Sequence, residues 1–188
     1  MKKIFALLAV PVLAGCLSSS SMPPAVRWML AYRGTLTSAA VPKFGATRLS
    51  QVIVSPPFNS LGLAVLRADG TLAVDPYNEF AAQPSQLLKG LVFEALSSSG
   101  LFSTVVGPAS AASAPNSVEV VVSRLALDCR KDDRRRAVAT VLVRVLNKRE
   151  IASVTTGEGA VDAADGDFGK AFSTAVSLAV ESALKQIP

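Results

Sequence analysis

Two long runs rich in β-branched residues constrain the fold of this chain more than any other feature. Residues 118–127 and residues 137–146 consist mostly of Val, Leu and Ala, and the charged stretch 130–136 separates them. Such runs favour strands, because β-branched side chains pack well on a pleated surface. We therefore predict a large antiparallel hairpin, with residues 150–157 pairing beside it.

Two other segments have the spacing of amphipathic helices. Between Pro84 and Gly100, apolar residues recur every three or four positions, which predicts a helix with one apolar stripe. The C-terminal segment has the same pattern from about Asp167, and we expect Asp165 or Asp167 to cap its first amide groups. These are the two predicted helices of the chain.

Shorter strand patterns occupy much of the remaining sequence. They lie at residues 26–31, 49–54, 61–66, 71–74 and 101–106, and the turn Ala68-Asp69-Gly70 joins the third to the fourth. The order strands, helix, strands, helix predicts one α+β domain over residues 25–188. We expect a mainly antiparallel sheet with both amphipathic helices packed on one face.

The first residues have the layout of a secretory signal peptide. Lys2 and Lys3 precede an apolar segment that is too short to span a membrane, so we predict a signal peptide over residues 1–15. Residues 13–16, Leu-Ala-Gly-Cys, resemble the bacterial lipobox, in which the cysteine is acylated and becomes the new amino terminus. An ordinary signal peptide with a cysteine nearby by chance is the alternative.

This pattern makes Cys16 the predicted lipidation site. Three acyl chains would bind a membrane almost irreversibly, because each buried methylene contributes about 0.8 kcal/mol. Residues 16–24 are rich in Ser and Pro and predict a flexible tether. Since Leu17 follows the cysteine where retained inner-membrane lipoproteins usually carry Asp, we expect the inner leaflet of the outer membrane, facing the periplasm.

The composition argues against most enzymatic chemistry. The chain contains no histidine, which removes the commonest general base and the commonest zinc ligand. Cys129 lacks a histidine that would activate it, and we expect a partly buried structural thiol, with a reactive thiol as the alternative. We expect no catalytic residues, no cofactor and no metal, and a net charge of +5 does not by itself indicate a nucleic-acid partner.

The segment before the last helix has a superficial likeness to two ligand-binding motifs. Residues 166–170 differ from a phosphate-binding loop, because Ala164 stands where its first glycine belongs and Ala171 replaces its hydroxyl residue. Asp162, Asp165 and Asp167 do not have the spacing of a calcium loop. A helix cap explains these acidic residues better.

Several segments together resemble the ABC-type transport auxiliary lipoprotein family, which includes the lipoprotein of the paraquat-inducible Pqi system. The resemblance is diffuse and covers nearly the whole mature chain; it is carried by residues 51–58, 63–67, 75–80, 83–84, 94–96 and 99–102. Tyr77 and Phe80 stand where such proteins commonly place a tryptophan ahead of the helix, and Trp28 where a Tyr-x-Leu start is usual.

The resemblance implies a non-enzymatic subunit at the outer-membrane end of a lipid transport system. Its partners would be MCE-domain or ABC transporter subunits, and a homo-oligomeric ring is one arrangement that would receive them. A small carrier that binds a lipid or another apolar ligand between sheet and helices is the alternative function.

Two groups of residues are candidates for binding a partner. Tyr77 and Phe80, in a predicted Pro-bounded loop before the first helix, are either an exposed aromatic anchor or part of the core. Arg134, Arg135 and Arg136 end the charged run, which would meet anionic headgroups or an acidic partner. A solvated hairpin tip is the other interpretation of that run.

Overall fold

The computed structural model describes residues 24–36, 38–131 and 134–188. They form eight strands and two helices: β1 (Val26–Trp28), β2 (Phe44–Val54), β3 (Gly62–Leu66), β4 (Leu72–Phe80), α1 (Pro84–Ser98), β5 (Phe102–Val106), β6 (Asn116–Asp128), β7 (Arg136–Asn147), β8 (Glu150–Asp162) and α2 (Phe168–Lys185). The predicted α+β fold is confirmed. The predicted signal peptide, Cys16 and the tether up to residue 23 lie outside the described residues.

Strand β6 is the centre of the sheet. One side of it pairs with β7 in the predicted antiparallel hairpin, and β7 pairs in turn with β8. The other side pairs in parallel with two strands in succession, first β2 and then β3. The sheet therefore divides beyond β6 into one branch that continues to β5 and another that continues to β4 and β1.

The sheet is mixed, although its longest ladders are antiparallel. Four of the seven pairings are parallel, namely β1 with β4, β2 with β5, β2 with β6 and β3 with β6. Parallel neighbours need a crossover connection, and α1 lies in the connections from β2 to β5 and from β2 to β6. The sheet is thus completed by pairings between segments that are distant in sequence.

Both helices pack on one face of the sheet, as predicted. Their apolar stripes enclose the core together with the inward side chains of β6 and β7, such as Val120 and Val143. Helix α2 lies especially close to β8: a Cβ at Gly157 would come within 1.9 Å of the Ala179 carbonyl oxygen. Because only glycine allows this approach, the space between α2 and β8 is filled by backbone.

Residues 30–34, which we term the strap, fix the start of the domain to α2. Three hydrogen bonds at successive helical turns join them: Ala31 N–H to Ser173 Oγ at 3.1 Å, Arg33 N–H to Ser177 Oγ at 2.9 Å, and the Tyr32 hydroxyl to Glu181 Oε1 at 2.8 Å. Burial and the carboxylate of Glu181 raise the pKa of Tyr32 to about 12. The chain therefore passes along α2 from its first turn toward its C-terminal end.

The predicted cap of α2 is corrected by the structure. Asp167 occupies the N-cap position, but its side chain makes no capping hydrogen bond and lies 3.7 Å from Lys170 Nζ. Asp165 does not cap the helix either, because it pairs with Arg135. Within the part of the chain that the structure describes, no helix is long and apolar enough to cross a lipid bilayer.

Candidate docking surface

The face of the sheet opposite the helices, which we term the open face, carries exposed apolar side chains. Neighbouring residues on β6 and β7 that point to the helices are buried in the core, so Val121 and Leu142 point the other way. The strand register places Ile53, Val121 and Leu142 in one row across β2, β6 and β7. Ile53 is 43% exposed, although it lies within a strand.

The adjacent row of the open face combines charge with apolar surface. Glu119 and Arg144 are cross-strand partners whose carboxylate and guanidinium lie 3.7 Å apart. The same row ends on β8 at Val154, which is 50% exposed. Exposed apolar patches that are bordered by polar or charged residues are typical of surfaces that bind other proteins.

One end of the sheet, the hairpin end, comprises residues 128–131 and 134–136 with Asp162, Asp165 and the start of α2. Three aspartate and arginine pairs neutralise most of the predicted basic run: Asp128 with Arg130 at 2.7 Å, Asp165 with Arg135 at 2.6 Å, and Asp162 with Arg136 at 3.4 Å. The bond from Arg130 holds the pKa of Asp128 at about 2. The acidic residues before α2 thus serve as partners of arginines.

The structure separates the three arginines that the sequence singled out. Arg135 and Arg136 pair with aspartates. Arg134 and Arg136 line a surface depression of about 780 Å³, whose other lining residues are Asp128, Arg130, Lys131 and Asp162. Cys129 is partly buried, as predicted, and this burial raises the pKa of its thiol. The hairpin end is consequently a network of ion pairs.

The two candidate aromatic residues also have different surroundings. Tyr77 is 45% exposed on β4 and remains available to a partner. Phe80 is only 2% exposed, and its ring packs edge-to-face on Phe172 at 5.4 Å. Both residues lie on β4 and not in the predicted loop. For Phe80 the core interpretation is correct, because β4 ends beneath α2.

The opposite end of the sheet, the turn end, comprises Arg48, Lys148, Arg149 and the loop 107–115. Lys148 and Arg149 connect β7 to β8 with φ angles of 49° and 75°, which match a two-residue turn that usually carries Asn-Gly. Together with Arg48 they line a depression of about 660 Å³ whose other lining residues are neutral. This group of three basic residues was missed by the sequence analysis.

Arg48 and the backbone of Lys148 hold the loop of the turn end in place. The Arg48 guanidinium donates to the carbonyl oxygens of three loop residues: Gly107 at 3.1 Å, Ser110 at 2.9 Å, and Ala112. The Lys148 N–H donates to the Pro115 carbonyl oxygen at 3.2 Å. The loop is thereby fixed beside the β7–β8 turn.

The chain enters the domain at the hairpin end. Strand β1 pairs with residues 78–80 at the end of β4, and the ring of Trp28 packs edge-to-face on Phe168 at 6.0 Å. Phe168 is the first residue of α2, and Arg135 lies over its ring at 5.8 Å. The strap then leads away toward the turn end, so the described chain begins near the ion-pair network.

Two solved structures have a similar fold. Protein XCC0632 from Xanthomonas campestris, described with the family model DUF330, aligns with a TM-score of 0.60 and 19% identity over 85% of this chain and 89% of that one. A second protein, described as uncharacterized, aligns with a TM-score of 0.53 and 14% identity over 77% of this chain and 90% of its own. The likeness shows the fold alone. No family model and no curated relative matches the chain.

Proposed function

We propose that this protein is a lipid-anchored periplasmic subunit that docks an ABC-type or MCE lipid transport assembly at the outer membrane. In this proposal, acylated Cys16 inserts into the inner leaflet and the domain acts by contact with other subunits. The proposal makes the protein a non-enzymatic component. A homo-oligomer of the domain is compatible with this function.

The open face is the observation that carries this proposal. Ile53 and Val154 remain substantially exposed on regular strands, at opposite sides of a surface that spans four strands. Burying such apolar surface contributes about 25 cal/mol for each Å² removed from water, so a protein partner would gain stability from covering it. The predicted anchor and the open face together suit a docking subunit.

The alternative function, a lipid carrier, needs space between the sheet and the helices. In the described residues that region is tightly packed: Leu88, Val92 and Phe172 are fully buried, and the Gly157 backbone touches α2. A ligand would have to displace α2 from β8. This packing favours docking over carriage.

Photo-cross-linking in the native bacterium tests the proposed function. A photoreactive amino acid at Ile53 or Val154 should form adducts that mass spectrometry identifies as MCE-domain or ABC transporter subunits. Leu178 is the matched control, because it is similarly exposed at 43% but lies on α2 rather than on the open face. It should give few such adducts.

The same experiment can reject the proposal. Adducts to transporter subunits that arise equally from Leu178, or their absence from both open-face positions, would contradict docking through this face. Native mass spectrometry of the purified protein addresses the alternative: a carrier should retain a co-purifying lipid in its interior, whereas the docking subunit should not.

A further inference from the structure

We infer that the turn end is a binding site for an acidic segment of a partner protein, with Lys148 and Arg149 as the main contacts. This inference rests on the proposed docking function and names the chemistry of the partner. It is carried by the backbone of the turn, by the absence of carboxylates from the lining of the depression, and by the position of the tether.

The backbone of the β7–β8 turn is unfavourable for the residues it carries. Both central positions have positive φ, a region that side chains with a Cβ avoid and that glycine or asparagine adopts readily. Lys148 and Arg149 are nevertheless both exposed there. Residues held in a costly conformation where a better sequence exists point to a role for their side chains.

The charge of the turn end is not internally neutralised in the way the hairpin end is. The depression is lined by Arg48, Lys148 and Arg149 with neutral residues, and no carboxylate lines it among the residues the structure describes. Glu150, next in sequence, is not among those lining residues; it borders a second depression, to which Lys148 and Ile151 also contribute. Three basic groups that line one depression attract carboxylates and direct an acidic partner to this site.

The location of the tether favours a protein over the anchoring membrane as the ligand. The chain enters at the hairpin end, and β6 extends about 40 Å from there to the turn end, at roughly 3.3 Å per residue. The eight residue-to-residue steps from Cys16 to Pro24 reach at most about 28 Å when fully extended. The turn end is therefore the part of the domain held farthest from the acylated terminus.

Binding of a fluorescent poly-glutamate peptide to the full acylated protein in neutral detergent tests the inference. Fluorescence anisotropy should detect binding that weakens as salt is raised. The substitution Lys148→Asn with Arg149→Gly should weaken it at least about tenfold while raising the thermal midpoint, because Asn-Gly suits this turn. Lys148→Gln with Arg149→Gln should weaken binding without relieving the backbone.

The control removes the same charge elsewhere, with Arg33→Gln and Lys89→Gln, both exposed side chains outside the turn end. This control should bind the peptide within about twofold of the unsubstituted protein. Equal losses in the control and in the turn variants would overturn the inference. So would binding to phosphatidylethanolamine and phosphatidylglycerol vesicles that requires Lys148 and Arg149 when the peptide does not bind.

These outcomes are separable from the fate of the proposed function. If the peptide test fails while Ile53 and Val154 still cross-link to transporter subunits, docking stands and only the acidic chemistry is wrong. If those adducts are absent, docking fails whether or not the turn end binds the peptide.

Discussion

The two ends of strand β7 carry basic residues in opposite circumstances. At the hairpin end, Arg135 pairs with Asp165, and Arg136 pairs with Asp162, the last residue of β8. At the turn end, Lys148 and Arg149 line a depression without carboxylates among its described residues. The difference shows that a charged run in a sequence indicates a binding surface only when its partners in space are known.

The turns at the two ends also differ in which residues adopt positive φ. The β3–β4 turn, beside the hairpin end, places Gly70 at a φ of 82° with open space around its Cα. The β7–β8 turn places Lys148 and Arg149 in that region of φ, at a cost of about 1–2 kcal/mol per residue. Backbone strain is thus avoided in the turn beside the hairpin end and present in the turn at the turn end.

Removing the predicted acylation site should have the largest effect, namely on where the protein is located. Cys16→Ser should release the protein from the outer membrane into the periplasm with its fold intact, because the acyl chains supply the membrane affinity. Fractionation with immunoblotting measures this. Cys129→Ser is the matched control and should stay membrane-bound; retention of the Cys16→Ser protein would show that the hairpin end is held by something else.

Removing the aromatic contact at the hairpin end should produce the next largest effect. Phe168→Ala should lower the free energy of unfolding by about 3–5 kcal/mol, because the ring is 2% exposed and packs against Trp28. Trp28 is the single tryptophan, so denaturant unfolding followed by its fluorescence reports on this end. Phe168→Leu should cost clearly less; equal costs would argue against a specific aromatic contact.

Exchanging turn residues should change stability in opposite directions at the two ends. Arg149→Gly should raise the free energy of unfolding by about 0.5–1 kcal/mol, since it relieves a positive φ. Gly70→Ala should lower the free energy of unfolding by about 1 kcal/mol, since it introduces a Cβ at a position with positive φ. Urea denaturation measures both. A destabilised Arg149→Gly protein would remove the strain argument for the turn end.

Acidification should weaken the hairpin end slightly. The pKa of Asp128 is lowered to about 2 by its bond from Arg130, so its contribution is complete above an unfolded pKa of about 3.9 and is lost as the pH falls toward 2. We expect the midpoint of thermal unfolding to fall by a few degrees at most, because Arg130 is exposed to solvent. In Asp128→Asn, the thermal midpoint should lack the decrease that protonation of Asp128 causes. A pH profile identical to that of the unsubstituted protein would contradict the assignment of this decrease to Asp128.

Local patterns in the sequence predicted much of the fold. The β6–β7 hairpin, the pairing of β8 and both helices follow from periodicities between neighbouring segments. The parallel pairings of β6 with β2 and β3 were not predicted, because they join segments separated by other elements. Burial of Phe80 likewise depends on α2, which lies far along the chain.

The candidate site was predictable only in part. The run 130–136 stands out by composition, but register decides that Asp162 faces Arg136 and neutralises it. Lys148 and Arg149 gave no signal, since the turn they form is normally recognised by Asn-Gly. The positive φ angles appear only once the two strands are paired.

The orientation of the domain on a bilayer tests the central claim most directly. A fluorophore is attached to acylated protein in vesicles, either through Arg134→Cys at the hairpin end or through Lys148→Cys at the turn end, with Cys129→Ser in both. Lipids with a quencher on the headgroup should strongly quench the label at the hairpin end and leave the label at the turn end nearly unchanged. Equal quenching of both labels, or stronger quenching at the turn end, would contradict the account.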